Sequence, residues 1–101
     1  PEYLRNYDEI RSIARHFLDN NKPLAAICHG AQILTAAGGI QGRKMTCYPD
    51  VRFELISAGG DYQKVDSKEA VIDGNLVTGV DPTSLVEFMK AFIKVLNNYT
   101  K

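Results

Sequence analysis

Residues 24–30, Leu-Ala-Ala-Ile-Cys-His-Gly, limit what this chain can fold into more than any other stretch. Four consecutive apolar residues without polar alternation predict a short strand buried on both faces, as inside a parallel sheet. Ala31 to Ala37 then has the propensity and apolar spacing of a helix, so the strand-to-helix switch falls on Cys28-His29-Gly30. A nucleophilic side chain at such a switch, with small residues two before it (Ala26) and two after it (Gly30), has the pattern of a nucleophile elbow. The chain turns so sharply there that bulky neighbours clash, and the turn pushes the reactive atom out above the sheet. Amides opening the next helix point at the same spot and favour a thiolate and any oxyanion beside it. Cys28 is the candidate nucleophile. By residue type alone, a cysteine after an apolar strand is also what a small buried hydrophobe looks like; the spacing leaves both readings open.

A chain of 101 residues makes one domain at most. Its formal net charge is zero and no run of Lys or Arg stands out, so capture of nucleic acid or of an anionic membrane has no support. No apolar segment approaches the ~20 residues that span a bilayer, and no signal-peptide pattern is present. Two cysteines, Cys28 and Cys47, make no disulfide framework; reduced thiols and a cytoplasmic location are expected. The chain opens Pro1-Glu2-Tyr3 without Met, and too few strands follow to flank a buried parallel strand. It is therefore expected to be the C-terminal part of one larger domain (all of 1–101), whose opening βα units are absent from this chain.

Tyr7 to Asn20 predicts an amphipathic helix, with Ile10, Ile13, Ala14, Phe17 and Leu18 on one face. Asn20-Asn21 suits a left-handed cap and Pro23 stops the helix. His16, with no second ligand one turn away, is read as a surface or boundary residue. Gly38-Gly39 closes the elbow helix, and Gly42-Arg43-Lys44 makes a basic turn, solvated by default but able to meet an anionic group. Met45 to Tyr48 is a strand candidate; Pro49 opens a helix to about Ala58, with Phe53, Ile56 and Leu55 as its apolar side. Cys47, without elbow spacing, is assigned to packing. Val71 to Thr78 reads as a hairpin with Asp73-Gly74 as the turn signal. Asp81-Pro82 starts a last helix whose Leu85, Phe88, Met89, Phe92, Ile93 and Leu96 form a core stripe. The alternation of elements is that of a three-layer α/β sandwich.

Several stretches together resemble a known family: PEYLR (1–5), KPLAAICHGAQIL (22–34), GRKMTCYP (42–49), Ala-Gly-Gly (58–60) and DGNLVTG (73–79). They are similar to the PfpI-type intracellular cysteine proteases and their relatives, the glyoxalase III enzymes and the Parkinsonism-associated protein deglycase. The resemblance implies a flavodoxin-like sandwich of the class I glutamine amidotransferase type. It also implies that Cys28 is the nucleophile, that His29 is the base with its amide bordering the oxyanion site at Gly30, and that Glu2 orients a histidine from a neighbouring subunit. The family's further glutamate, which hydrogen-bonds the thiol, belongs to a region absent here. Ala31 stands where proline or glutamine is common, and residues 78–82 lack an arginine found in protease-like members.

The chemistry so implied needs no metal and no organic cofactor. His29 is expected not to bend back onto Cys28 within the elbow but to move protons on the substrate, with Glu2 fixing its tautomer. The leading expectation is glyoxalase III-like conversion of 2-oxoaldehydes (methylglyoxal, glyoxal) to 2-hydroxy acids, or a related deglycase activity. The alternatives are a peptidase or amidase working through a thioester, and a redox-sensing stress module using Cys28 without turnover. Partners expected are a small carbonyl substrate or peptide, a companion segment with the missing βα units, and further copies of the chain.

Overall fold

In the computed structural model, which describes residues 2–100, the first helix α1 (Asp8–Asp19) opens on Asp8 and Glu9, acids suited to the positive end of a helix. Pro1, which begins the PEYLR stretch, and Lys101 lie outside the described residues. α1 ends as its sequence requires: Asn21 takes φ +53°, and Lys22 N–H donates to Phe17 O at 2.9 Å. Ala14 and Leu18 are buried, whereas Ile13, expected inside, is exposed.

Strand β1 (Leu24–Ile27) follows, then a 3-10 turn at Cys28–Gly30 and helix α2 (Ala31–Ala37). Next come β2 (Lys44–Met45), a 3-10 turn at Pro49–Val51, α3 (Arg52–Ser57) and β3 (Asp61–Tyr62). The hairpin β4 (Ala70–Asp73) and β5 (Leu76–Gly79) leads through a 3-10 turn at Pro82–Ser84 into α4 (Leu85–Thr100). The main sheet has the order β1-β5-β4, parallel between β1 and β5 and antiparallel between β4 and β5. β2 and β3 pair in parallel as a separate two-stranded ribbon.

Side chains alternate across the main sheet as a pleat requires. Leu24, Ala26 and Leu76 join Ala14, Leu18, Ala31 and Leu34 on the α1–α2 side. Ala25, Ile27 and Val77 join Phe88, Ala91, Phe92 and Val95 of α4 on the other. Helices, sheet and helix make the expected three layers. Gly79 is needed where they meet: a Cβ there would stand 3.0 Å from Phe88 Cδ1 and 3.2 Å from Ile27 Cγ1.

Four expectations are corrected. β1 is an edge strand among the described residues and only half-buried, whereas every residue of β5 is buried. The strand expected over Met45 to Tyr48 is cut to Lys44–Met45, because Thr46 N–H leaves the ladder for Thr78 Oγ1 at 2.9 Å; its partner β3 carries no sequence signal. In the helix after Pro49 the inward residues are Val51 and Leu55, while Phe53 and Ile56 face out. On α4 the sheet takes Phe88, Ala91, Phe92 and Val95 and leaves Leu85, Met89, Ile93 and Leu96 exposed. A three-stranded sheet is too narrow to cover so wide an apolar arc.

Turn and cap chemistry held locally. The hairpin loop is Gly74-Asn75, with positive φ (+59°) at Gly74 alone, as a type II′ turn demands. Asp81 caps α4's entry by accepting from Thr83 N–H at 2.8 Å, and Ser84 Oγ returns to Asp81 N–H at 3.3 Å.

Candidate active site

The end of β1 forces Cys28 into φ +61°. A non-glycine residue held there stores about 1–3 kcal/mol, which the surroundings must offset. They do so from two sides. The 3-10 turn runs directly into α2, and Tyr48 N–H donates to Cys28 O at 3.3 Å. Across the turn, a Cβ added at Gly30 would meet Ala26 Cβ at 3.7 Å, so the two small residues predicted around the elbow do face each other.

The half-buried Cys28 places Sγ 3.2 Å from His29 Nδ1. This corrects the expectation that the imidazole cannot reach its own neighbour. The left-handed backbone at Cys28 changes the relative direction of the two side chains and lets them converge. Sγ and Nδ1 stand within hydrogen-bonding distance, the direction of the bond depending on the imidazole tautomer. The His29 ring stacks on Tyr48, with centroids 5.0 Å apart and an interplanar angle of 23°, and this limits its rotation.

Tyr48 was not singled out from the sequence, nor was what holds it. Thr78, on β5 opposite Ala26, accepts from Thr46 N–H, and both threonines are buried. Through that bond β5 suspends residues 46–48 over the elbow. The Val-Thr-Gly stretch at 77–79 therefore builds the site from behind: Thr78 holds the segment that carries the ring beside His29.

Between Thr46 and Tyr48 sits Cys47, fully buried in the α1–α2 core. Burial pushes its thiol up to about 11, with Arg52 opposing and the charges of Cys28 and Glu54 adding. It packs, as read from the sequence.

Glu2 is exposed on the turn before α1. A hydrogen bond with its own backbone amide is the main cause holding its carboxyl below the ordinary range, and the charge of His29 contributes weakly in the same direction. The turn is tied down by Arg5, whose Nη1 donates to Glu54 Oε2 at 3.0 Å, while Gln32 Nε2 on α2 reaches Glu54 Oε1 at 3.3 Å. Arg43 is no anion ligand in waiting. It donates to Asp73 Oδ2 at 3.2 Å, to Asp73 O at 2.7 Å and to Asn75 Oδ1 at 2.7 Å, clamping the hairpin turn. His16 is exposed, with Lys22 Nζ 2.9 Å from Nε2. Among the described residues no three His, Cys, Asp or Glu stand where they would hold a metal ion. No described helix is long and apolar enough to cross a membrane.

A layered α/β fold with a thiol and imidazole paired on a strained turn after a parallel strand defines the class of cysteine-elbow domains. The chain belongs to the DJ-1/PfpI family, whose model matches residues 1–95. It is 44% identical over 96 residues to a deglycase of Pyrococcus horikoshii, covering 95% of this chain and 56% of that protein. A proposed cysteine protease of Bacillus subtilis is 35% identical over 96 residues, covering 95% of this chain and 55% of that one. The crystal structure of a ThiJ/PfpI domain protein from Brachyspira murdochii superposes with a TM-score of 0.86 at 28% identity, covering 95% of this chain and 54% of the other. The chain thus spans a little over half the length of each of these three proteins.

Proposed function

We propose that this chain carries the thiol and base of a cofactor-free enzyme acting on carbonyls, with 2-oxoaldehydes such as methylglyoxal and glyoxal as substrates or, closely related, sugar-derived adducts of the deglycase type. The observation that supports it most is the 3.2 Å approach of His29 Nδ1 to Cys28 Sγ on a left-handed turn at the end of β1. The deglycase name of the Pyrococcus relative agrees with that substrate class.

In this reading the Cys28 thiolate adds to the aldehyde carbon and forms a hemithioacetal. The hydrogen on that carbon leaves as a proton, carried by His29, and returns to the neighbouring carbon through an enediol. The product is a thioester of the 2-hydroxy acid; water cleaves it, releasing the acid and restoring the thiol. Tyr48 keeps the imidazole plane fixed while the proton moves. Glu2 supplies the carboxylate that sets the histidine tautomer, from a second copy packed against the turn, where Tyr3, Leu4, Phe53 and Ile56 are exposed. The test is turnover of methylglyoxal to lactate by wild type, Cys28→Ser and His29→Ala; full activity in Cys28→Ala removes the proposal.

The Bacillus relative's name favours a second reading, hydrolysis of a peptide by the same thiol through an acyl-enzyme. Peptide cleavage that a thiol alkylating agent abolishes supports it; methylglyoxal turnover without any cleavage counts against it.

A further inference from the structure

A surface lysine is ordinarily a flexible chain whose ammonium faces water or a carboxylate. Lys22, just after α1, differs on both counts. Its N–H donates to Phe17 O at 2.9 Å, and its carbonyl accepts from Asn75 Nδ2 at 2.8 Å. Both backbone groups are therefore tied, one to α1 and one to the β4–β5 turn. From this anchor the half-buried side chain brings Nζ to 5.8 Å from the centroid of the Phe17 ring. It ends 2.9 Å from His16 Nε2.

The imidazole is held as well. Asn20 Nδ2 donates to His16 O at 2.8 Å and stands 3.2 Å from Nδ1, so both ring nitrogens have a neighbour. Phe17 meets the His16 ring edge-on, with centroids 6.1 Å apart. Asp19, the acid that closes α1, is engaged by Arg15 Nε at 2.9 and 3.1 Å. Among the described residues no carboxylate forms an ion pair with Lys22. The amine thus has an imidazole where an acid is usual.

That replacement changes the chemistry open to the amine. A carboxylate holds an ammonium in place. An imidazole nitrogen at hydrogen-bond distance also takes a proton and gives it back, and a lysine amine relieved of its proton adds to carbonyls. We propose that Lys22 and His16 form a covalent capture site for small aldehydes, separate from the Cys28 thiol. The Nζ lone pair bonds the aldehyde carbon and the carbonyl π pair moves to oxygen. His16 Nε2 carries the surplus proton from nitrogen to that oxygen, which gives a carbinolamine. The hydroxyl then takes the remaining proton of nitrogen, again through His16, and leaves as water, so that a carbon–nitrogen double bond remains. Amine and aldehyde become imine and water, and no oxidant or further reagent enters. The aldehyde must be small, because the His16 and Phe17 rings both approach Nζ. The site uses neither Cys28 nor His29 and stands apart from the proposed function.

The probe is glycolaldehyde, with sodium cyanoborohydride to fix each imine as a secondary amine and peptide mass spectrometry to give the initial rate at every lysine. Lys64 and Lys68 are exposed whereas Lys22 is half-buried, so access alone ranks Lys22 behind them. It is expected to react ahead of them by about 10-fold or more. His16→Gln, at an exposed position where circular dichroism should match wild type, should bring Lys22 down to the rate of Lys64 and leave Lys64 and Lys68 unchanged. His16→Glu restores a carboxylate beside the amine and should give the same slow rate. A wild-type Lys22 no faster than Lys64 and Lys68 overturns the inference. So does a fast Lys22 that either variant leaves fast, since the imidazole would then carry no proton.

Discussion

Cys28 and Cys47 are the same side chain, brought near each other by the hydrogen bond from Tyr48 N–H to Cys28 O, yet held in opposite conditions. Cys28 is half-exposed on a left-handed turn with an imidazole nitrogen 3.2 Å away. Cys47 is fully buried among aliphatic residues, its thiol pushed up to about 11 by that burial. The contrast teaches that the backbone sets where each sulfur sits. A left-handed φ brings one sulfur to an imidazole nitrogen, while the other is folded into the core.

The largest expected difference is in turnover. Cys28→Ser should lower kcat/KM for methylglyoxal by about 10³-fold or more, whereas Cys47→Ser should stay within about twofold; equal losses would break the contrast. Alkylation comes next. Iodoacetamide on the folded protein, followed by peptide mass spectrometry, should label Cys28 at least about 100-fold faster than Cys47, which reacts only after opening of the core. Matched rates would show that Cys47 is not sealed.

A third difference is in stability at high pH. The unfolded Cys47 thiol ionises near 9.0 and the folded one at about 11. Between those values unfolding releases a proton, so its contribution is fully present below pH 9 and is lost as the pH rises toward 11. The loss is roughly 2–3 kcal/mol across that window. Denaturant titrations should show Cys47→Ala losing less stability than wild type over the same range, and parallel pH curves would refute the assignment. The smallest effect concerns the ring beside the base. Tyr48→Ala should reduce kcat/KM by about 10-fold and broaden its pH profile, while Tyr48→Phe, which keeps the stack, should retain most of the activity. If phenylalanine fares as badly as alanine, the hydroxyl and not the stack is what matters.

Much of this molecule was legible in the sequence because much of it is local. The elbow needed only four apolar residues, a nucleophile and small neighbours at two positions. The Asn21 cap, the glycine at the hairpin loop and the Asp81 N-cap depend on residues a few positions apart, and all three stand as their chemistry requires. Helix faces were less legible. Phe53, Ile56 and the Leu85–Leu96 stripe look like core in a periodicity, but a periodicity says only that one side is apolar, not what lies against it.

What residue order determined, then, was where the chain bends, caps and turns, and which thiol sits at a strand-to-helix switch. Tertiary structure alone decided that Tyr48 lies on the imidazole, and that Thr78 holds Tyr48 there from another strand. It also placed β5 between β1 and β4 in the described sheet. The reason is range: a cap, a turn or the contact of Cys28 with its neighbour His29 is set by a few consecutive residues, whereas the stack of Tyr48 on His29 and the bond from Thr46 to Thr78 need groups distant in the chain to be brought within a few ångströms by packing.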